Sequence, residues 1–567
     1  MHIDIVPNRN SPPAVLLRES YRQGNKVRKR TLANLSALPL DQIDIIRRAL
    51  RGEKLVPISE LFETTRSFHQ GHVQAVRLAM RKLGFESLLA SRPCPERDLV
   101  AAMVTAQILE PDSKLAMTRW WHTTTLPQAF GVAEADEDNL YEAMDWLVQH
   151  QEHIEKKLAA RHLTHSGLVL YDLSSSYFEG KTCPLAKLGH NRDGKKGKLQ
   201  VNYGLVTDGR GCPVAVSIFD GNTADPKTLM PQVEKLQGTF GIDRMVLVGD
   251  RGMISQKQID ELKAHNGLDW ITALKCGAIS KLLEGGQLQL GLFDEKNLFE
   301  LTHPGFPGER LVACRNPELA KLRAHKRQSL LDATVKELAK VQGMVERGTL
   351  QGKDAIGVRI GKVINKYKVA KHIALEIEDQ RFTFHIRETE VAAEAALDGV
   401  YVIRTSVPSS QLDSDDVVRS YKLLSQVERA FRSIKTVDLE IRPIRHRHER
   451  RVKAHIFLCM LAYYVQWHMV QAWRPMLFVD EDQAAKKTRD PVAPARRSEA
   501  ANEKAFAKVL DEGSPVHSFS TLLKDLSSIV RNICRRPGAD DGLTFELVTT
   551  PTAHQQRAYD LLETIEM

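Results

Sequence analysis

Three acidic residues in this chain stand where a carboxylate can do chemistry. Asp172 closes the apolar run LVLYD, Asp250 closes MVLVGD, and Glu428 lies within SYKLLSQVERAFRSIK, residues 420–435. Strand ends at the rim of a sheet hold reactive groups well, because the backbone there is rigid while the tip is solvated. Three hard oxygen donors suit one or two Mg²⁺ ions, with Mn²⁺ able to substitute, since such ions prefer carboxylates and leave positions for water or phosphate oxygens. Two ions about 3.5–4 Å apart activate an attacking oxygen and stabilise a leaving one in phosphoryl transfer. Taken singly, each aspartate reads equally well as a turn residue capping the next segment.

The stretch around Glu428 is predicted to be one helix. At 100° per residue, Leu423, Leu424, Val427, Ala430, Phe431 and Ile434 fall on one apolar stripe. Tyr421, Glu428 and Lys435 recur every seven residues. They therefore stack along one line with a drift of ~20° per step. Arg432 joins that line one turn after Glu428. Glu428 borders the stripe, so its carboxylate is expected in the seam between helix and core, where it can help hold a metal ion or meet a phosphate. An ordinary amphipathic helix with a solvated charged edge explains the same pattern, and is the better reading of this stretch alone.

The elements that must position these groups belong to a long, basic chain. At 567 residues it needs several domains. Its 42% apolar and 27% charged residues describe an ordinary globular protein, and the net charge is +9. The excess is clustered in three runs: Leu16–Arg30, Lys181–Lys198 (with Lys195 and Lys196) and Ile441–His455 (with Arg442). Three such runs point to a nucleic-acid partner. Seven cysteines without a CxxC pair suggest neither a zinc knuckle nor a disulfide framework. The start MHIDIVPNRN has no apolar signal core, and the longest apolar run, Ile456–Val465, is too short to span a bilayer. A reduced, cytoplasmic protein without a membrane partner is expected.

Along the chain, residues 14–35 alternate as a hairpin turning at Gln23-Gly24-Asn25, followed by a helix over 41–51. Residues 72–163 read as helices almost throughout. From Gly167 the texture changes to three hairpin-linked strands and then alternating helices and strands, an α/β domain with a mixed sheet. Residues 280–395, with a long charged helix and two strands, interrupt that pattern, and it resumes at Gly399. The expected division is a basic hairpin and helix (1–60), a helical DNA-binding domain (61–165), and a catalytic domain in two pieces (166–279 and 396–475). An α+β insertion (280–395) separates those pieces, and a linker with a small C-terminal module (476–567) follows them.

YDLSSSYFEG, FDGNTAD, VGDRGMIS and YKLLSQVERAFRSIK occur in that order, with RPIRH and AHIFLCMLA after them. Together they resemble the DDE transposases of bacterial insertion sequences, in the subgroup with a tyrosine–arginine–glutamate–lysine signature and an insertion domain. The resemblance covers residues 167–470, and PNRNSPPAVLLRESYR is similar to the same group at the N-terminus. It implies a ribonuclease H-like catalytic domain with Asp172, Asp250 and Glu428 as catalytic, metal-holding residues, and Tyr421 and Lys435 as the signature tyrosine and lysine. The signature arginine falls on Leu424, a departure that leaves Arg432 as the candidate phosphate contact. Arg251, Arg442, Lys195 and Lys196 complete the candidate DNA-binding set. The implied reaction is hydrolysis at transposon ends followed by joining of the freed 3′-hydroxyls to target DNA, by a protein that is homodimeric when DNA-bound and nucleoid-associated. A silent DNA-binding relative and a metal-dependent nuclease without strand transfer are the alternatives.

Overall fold

The computed structural model describes residues 1–9, 11–54, 61–163, 167–286, 288–294, 297–482, 488–494, 496–537 and 543–566. The boundaries expected at 60/61 and 165/166 fall outside them. The chain divides into two compact units, Met1–Phe68 with Val530–Thr549, and His69–Ile529 with Thr550–Met567.

In the smaller unit, β1 (His2–Val6), β2 (Ala14–Gln23) and β3 (Lys26–Asn34) form an antiparallel sheet. Gly24 makes the tight turn possible, taking φ +60° between the paired Gln23 and Lys26. Most basic side chains of this hairpin are exposed, and Asp4 on β1 draws in Lys29 at 2.8 Å and Arg18 at 3.2 Å. The helix Leu40–Leu50 follows, and then β4 (Glu63–His69).

The larger unit is built on an eight-stranded sheet. Its strands are β5 (Gly167–Tyr177), β6 (Gln200–Asp208), β7 (Pro213–Asp220), β8 (Met245–Val248), β9 (Leu268–Ala273), β10 (Leu298–Leu301), β11 (Arg310–Arg315) and, after β12 (Ile373–Ile377) and β13 (Phe382–Ile386), β14 (Val400–Thr405). The order is β10-β11-β14-β9-β8-β5-β6-β7. β8 runs parallel to both β5 and β9, and the other pairings are antiparallel. The sheet is mixed, as expected. β10 and β11, which the 280–395 boundaries assign to the insertion, extend this sheet through β14. The rest of that segment has a core of its own. The helix Pro317–Glu346, capped by Asn316 accepting from the Leu319 N–H at 3.0 Å, packs Leu331, Leu338 and Val341 against Ile356 and Ile360 of a second helix and against the β12–β13 hairpin.

Helices cover the sheet. Glu449–Ala472 is buried almost without a break from Ile456 to Met469, as its all-apolar run Ile456–Val465 requires of a helix with no solvent face. Gly71–Lys82, Pro95–Leu109 and Glu137–His162 share one core with it and with the sheet. Gln107 donates to the Leu439 carbonyl at 2.7 Å, and the Glu155 carboxylate accepts the Val216 N–H at 2.9 Å. These helices, expected as a separate DNA-binding domain, are therefore the lining of the sheet. Of the expected linker, residues 483–487 and 495 lie outside the described residues. Val492 nearby is 1% exposed, and its carbonyl accepts from Asn316 at 2.9 Å. The expected C-terminal module is shared out. β15 (Val530–Arg535) and β16 (Thr544–Val548) pair beside β4 in the smaller unit, whereas Ala553–Glu563 packs on the larger one, where Tyr559 donates to the Gly71 carbonyl at 3.0 Å. Among the described residues, no helix is long and apolar enough to cross a membrane.

Candidate active site

The parallel pairing of β5 with β8 ends where Leu170 faces Val248, and Asp172 and Asp250 are each the second residue beyond that point. The two aspartates thus pass the end of the parallel ladder in step. Asp172 was expected to end its strand, but β5 continues to Tyr177 through Ser174, Ser175 and Ser176. This polar run stays in a strand because each hydroxyl finds a partner. Ser174 accepts from Lys435 Nζ at 3.1 Å, Ser175 from the Arg192 N–H at 3.4 Å, and Ser176 bonds the Tyr203 hydroxyl at 2.8 Å. Asp172 is mid-strand towards β6, facing Leu205, and at the strand end towards β8.

Asp250 opens a turn whose Met253 and Ile254 N–H groups donate to its carbonyl at 3.1 and 3.0 Å, leaving the carboxylate exposed. Glu428 comes from the helix Leu424–Arg432, which buries Val427, Ala430 and Phe431 against the core, the last edge-on to Tyr203 with ring centres 5.8 Å apart. The single helix expected over 420–435 is in fact three segments. Ser414–Lys422 ends at Leu423, where the turn tightens (ψ −17°) and Leu423 accepts from the Gln426 N–H. The chain widens to a π-turn over Ser433–Val437. Tyr421 is therefore on the preceding helix, and the seven-residue line is broken on both sides of Glu428.

Asp172, Asp250, Glu428, Arg432, Lys435 and Arg442 line one open cavity of about 430 Å³, together with Ser174, Arg192, Asp225 and Thr436. Burial pushes the Asp172 carboxyl up to about 7 against the Leu173 N–H that it accepts at 2.8 Å; Asp250 and Glu428 push it the same way, and Arg192 opposes them. The Tyr421 phenol is likewise raised to about 12, by burial first and then by Asp250, so it stands near the acidic group without lining the cavity. A set of three carboxylates whose repulsion reaches one of its own members fits a hard divalent cation, which relieves that repulsion.

The basic wall is organised by a group that the sequence reading passed over. Asp193, 2% exposed, pairs with Lys435 at 2.7 Å and with Arg442, and accepts the Tyr177 N–H at 2.9 Å. Arg192 is held by Asp225 at 2.5 Å. Arg432 is exposed to the cavity and has no ion pair among the described residues, so it is not the partner of Glu428. Arg251, Lys195 and Lys196 are exposed but do not line the cavity. Lys195 lies over the Tyr177 ring, 5.9 Å from its centre. A signal for the missed residues was present, since Arg192 and Asp193 fall in the second basic run and Asp225 ends FDGNTAD.

Residues 174–465 match the family model described as the transposase DDE domain, and residues 3–57 match that of the N-terminal domain of IS1634 family transposases. The first span includes Asp250 and Glu428 and begins two residues after Asp172. No curated protein matches the chain. Among solved structures, the piggyBac transposase synaptic complex with hairpin DNA is 8% identical, with a TM-score of 0.34 over 80% of this chain and 77% of that one. With the DDE domain spanning half its length and an IS1634-type N-terminal domain before it, this chain belongs to the DDE transposase family and is a DNA transposase of the insertion-sequence kind.

Proposed function

We propose that Asp172, Asp250 and Glu428 are the catalytic carboxylates, that they hold Mg²⁺ with Mn²⁺ as a substitute, and that the enzyme cuts transposon ends and joins the freed 3′-hydroxyls to target DNA. The observation that carries this reading is the shared departure of Asp172 and Asp250 from the parallel ladder into the cavity that Glu428 also lines. Bound divalent ions would supply Lewis-acid activation of the attacking oxygen and stabilise the leaving one. The chain's own residues do the rest. Arg192, Arg432 and Arg442 give the cavity a cationic wall for the scissile phosphate, while the buried helix Glu449–Ala472 and strand β5 hold the acidic groups rigid. First, water hydrolyses an end phosphodiester and leaves a 3′-hydroxyl. That hydroxyl then attacks a target phosphodiester, displacing a 3′-oxygen without a covalent protein intermediate. Three antiparallel strands (β7-β6-β5) continued by parallel β8 and β9 support a ribonuclease H-like core, and the separate core of residues 317–396 supports the insertion. The exposed basic hairpin supports end recognition by the N-terminal unit, in a homodimer on DNA at the nucleoid.

Purified protein with Mg²⁺ and labelled end DNA tests the reading. Cleavage followed by joining is expected. Cleavage alone would make the protein a nuclease, and binding alone a silent relative.

The missing signature arginine is replaced by Leu424, which is partly buried against the core, whereas Arg432 lines the cavity. A free guanidinium on the cavity wall can hold phosphate oxygens in a bidentate fork. Arg432→Ala should slow end cleavage by roughly 10–100-fold, about 1.4–3 kcal/mol, with partial recovery in Arg432→Lys. Leu424→Ala should lower thermal stability and leave the chemistry intact. Parent-rate cleavage by Arg432→Ala would remove the clamp.

A further inference from the structure

His162, Cys212 and His468 come from three distant parts of the chain, and their ligand atoms all lie within 4.8 Å of one another. His162 ends the helix Glu137–His162, Cys212 sits in the turn between β6 and β7, and His468 is near the end of Glu449–Ala472. We propose that these three side chains form a structural transition-metal site of the zinc class, separate from the carboxylate cavity.

The donor set is the first argument. Two imidazoles and a thiolate suit zinc, and among the described residues this is the only group of three or more histidine, cysteine or acidic side chains drawn so close. Geometry is the second. Cys212 Sγ stands 3.8 Å from His468 Nε2. Zinc bonds of about 2.3 Å to sulfur and about 2.0–2.1 Å to nitrogen, set tetrahedrally, put those atoms about 3.6 Å apart. The His162 ligand atom lies within 4.8 Å of both of the others, and this ring is the most exposed of the three. Burial is the third: Cys212 and His468 are buried and His162 is half-buried, so the three donors face one another largely out of bulk solvent, and the thiol gives up its proton as the metal–sulfur bond forms.

Surrounding groups already fix the ligands. The Tyr464 hydroxyl bonds His162 Nε2 at 3.1 Å, which leaves Nδ1, 3.4 Å from Arg210, as the nitrogen available to a metal. Arg210 is 65% exposed at its side chain and is held by Asp208 through Nε and a terminal nitrogen, both at 2.9 Å, so a metal on Nδ1 would displace only its contact with His162 and leave that ion pair in place. Asp208 also accepts the Cys212 N–H at 2.9 Å and sets the turn. It supplies a negative charge that offsets Arg210, while water from the His162 side completes the fourth position. A metal here would tie the covering helices to β6, the strand beside the one that carries Asp172.

Cobalt separates this site from the carboxylate cavity, because only a cysteine gives a thiolate-to-cobalt charge-transfer band. Tag-free, full-length protein stripped with a chelator is titrated with Co²⁺. One equivalent should produce that band with intense tetrahedral visible absorption, and one equivalent of Zn²⁺ should bleach both. The spectrum should survive in Cys276→Ala and vanish in Cys212→Ala and, as a milder change, in His468→Gln. No thiolate band at excess Co²⁺ in the parent protein, or a band undiminished in Cys212→Ala, would overturn the site.

Discussion

Asp172→Asn, Asp250→Asn and Glu428→Gln should each lose transposon-end cleavage by roughly 10³-fold or more, about 4 kcal/mol of transition-state stabilisation, while end binding in a gel-shift assay should change little. Each amide keeps the shape of the carboxylate and removes the charge that a divalent ion needs, and none of the three side chains carries a structural ion pair among the described residues. The Asp172 variant has a second, opposite effect. Its carboxyl is raised from the usual 3.8 to about 7, so the folded protein binds that proton more tightly than the unfolded chain does. The stability this confers is complete below about pH 4 and is lost as the pH climbs through 7. Metal-free Asp172→Asn should therefore melt with the parent near pH 4 and above it as the pH rises, by an amount that grows up to pH 7 and then levels, on the order of a few kcal/mol. Saturating Mg²⁺ should close or reverse the gap by stabilising only the parent. A variant that is more stable yet inactive separates chemistry from folding. Cleavage at the parent rate by any of the three variants would falsify that residue's assignment.

The aspartates were legible because the strands that carry them are short apolar runs with an acidic end, a pattern that survives in the parallel ladder even though β5 itself runs on to Tyr177. What hid the continuation was Ser174–Ser176. Serines read as a loop until their hydroxyls are seen to be paired, and the partners lie as far away as Lys435. The Glu428 helix was legible in its apolar stripe but not in its breaks at Leu423 and Ser433, because neither glycine nor proline marks them and the bends follow from packing on the sheet. The helical texture of residues 72–163 is legible in the sequence, whereas the place of these helices in the fold is not. Their apolar faces say that something covers them, and only the contact with Glu449–Ala472 says what. The ligands of the proposed metal site were invisible for the same reason, being 50 and 256 residues apart. Asp193 sat in plain view within a run of lysines, where a lone acid reads as a solvated exception.

Asp193→Ala should be among the most damaging substitutions outside the three carboxylates. The side chain is 2% exposed and joins Lys435, Arg442 and the Tyr177 N–H. Removing it leaves the Lys435 ammonium, itself 9% exposed, with Ser174 alone as a partner, and strands a backbone donor on β5. Breaking a buried pair from one side costs roughly 3–5 kcal/mol, because the surviving charge keeps its desolvation cost without its partner. Burial already lowers the Lys435 ammonium despite Asp193, so without the aspartate it would lose its proton still more readily. Cleavage should fall with stability, since Ser174 is two residues from Asp172 on the same strand. The compensating variant is Asp193→Asn with Lys435→Met, which keeps an acceptor for Tyr177 and replaces the buried ion pair by neutral groups of similar size. Because Lys435 is committed to Asp193 and Ser174, this double variant should regain most of the lost melting temperature and most of the cleavage rate. Recovery of stability with cleavage still absent would instead place the Lys435 ammonium on the DNA phosphate, with Asp193 only holding it ready.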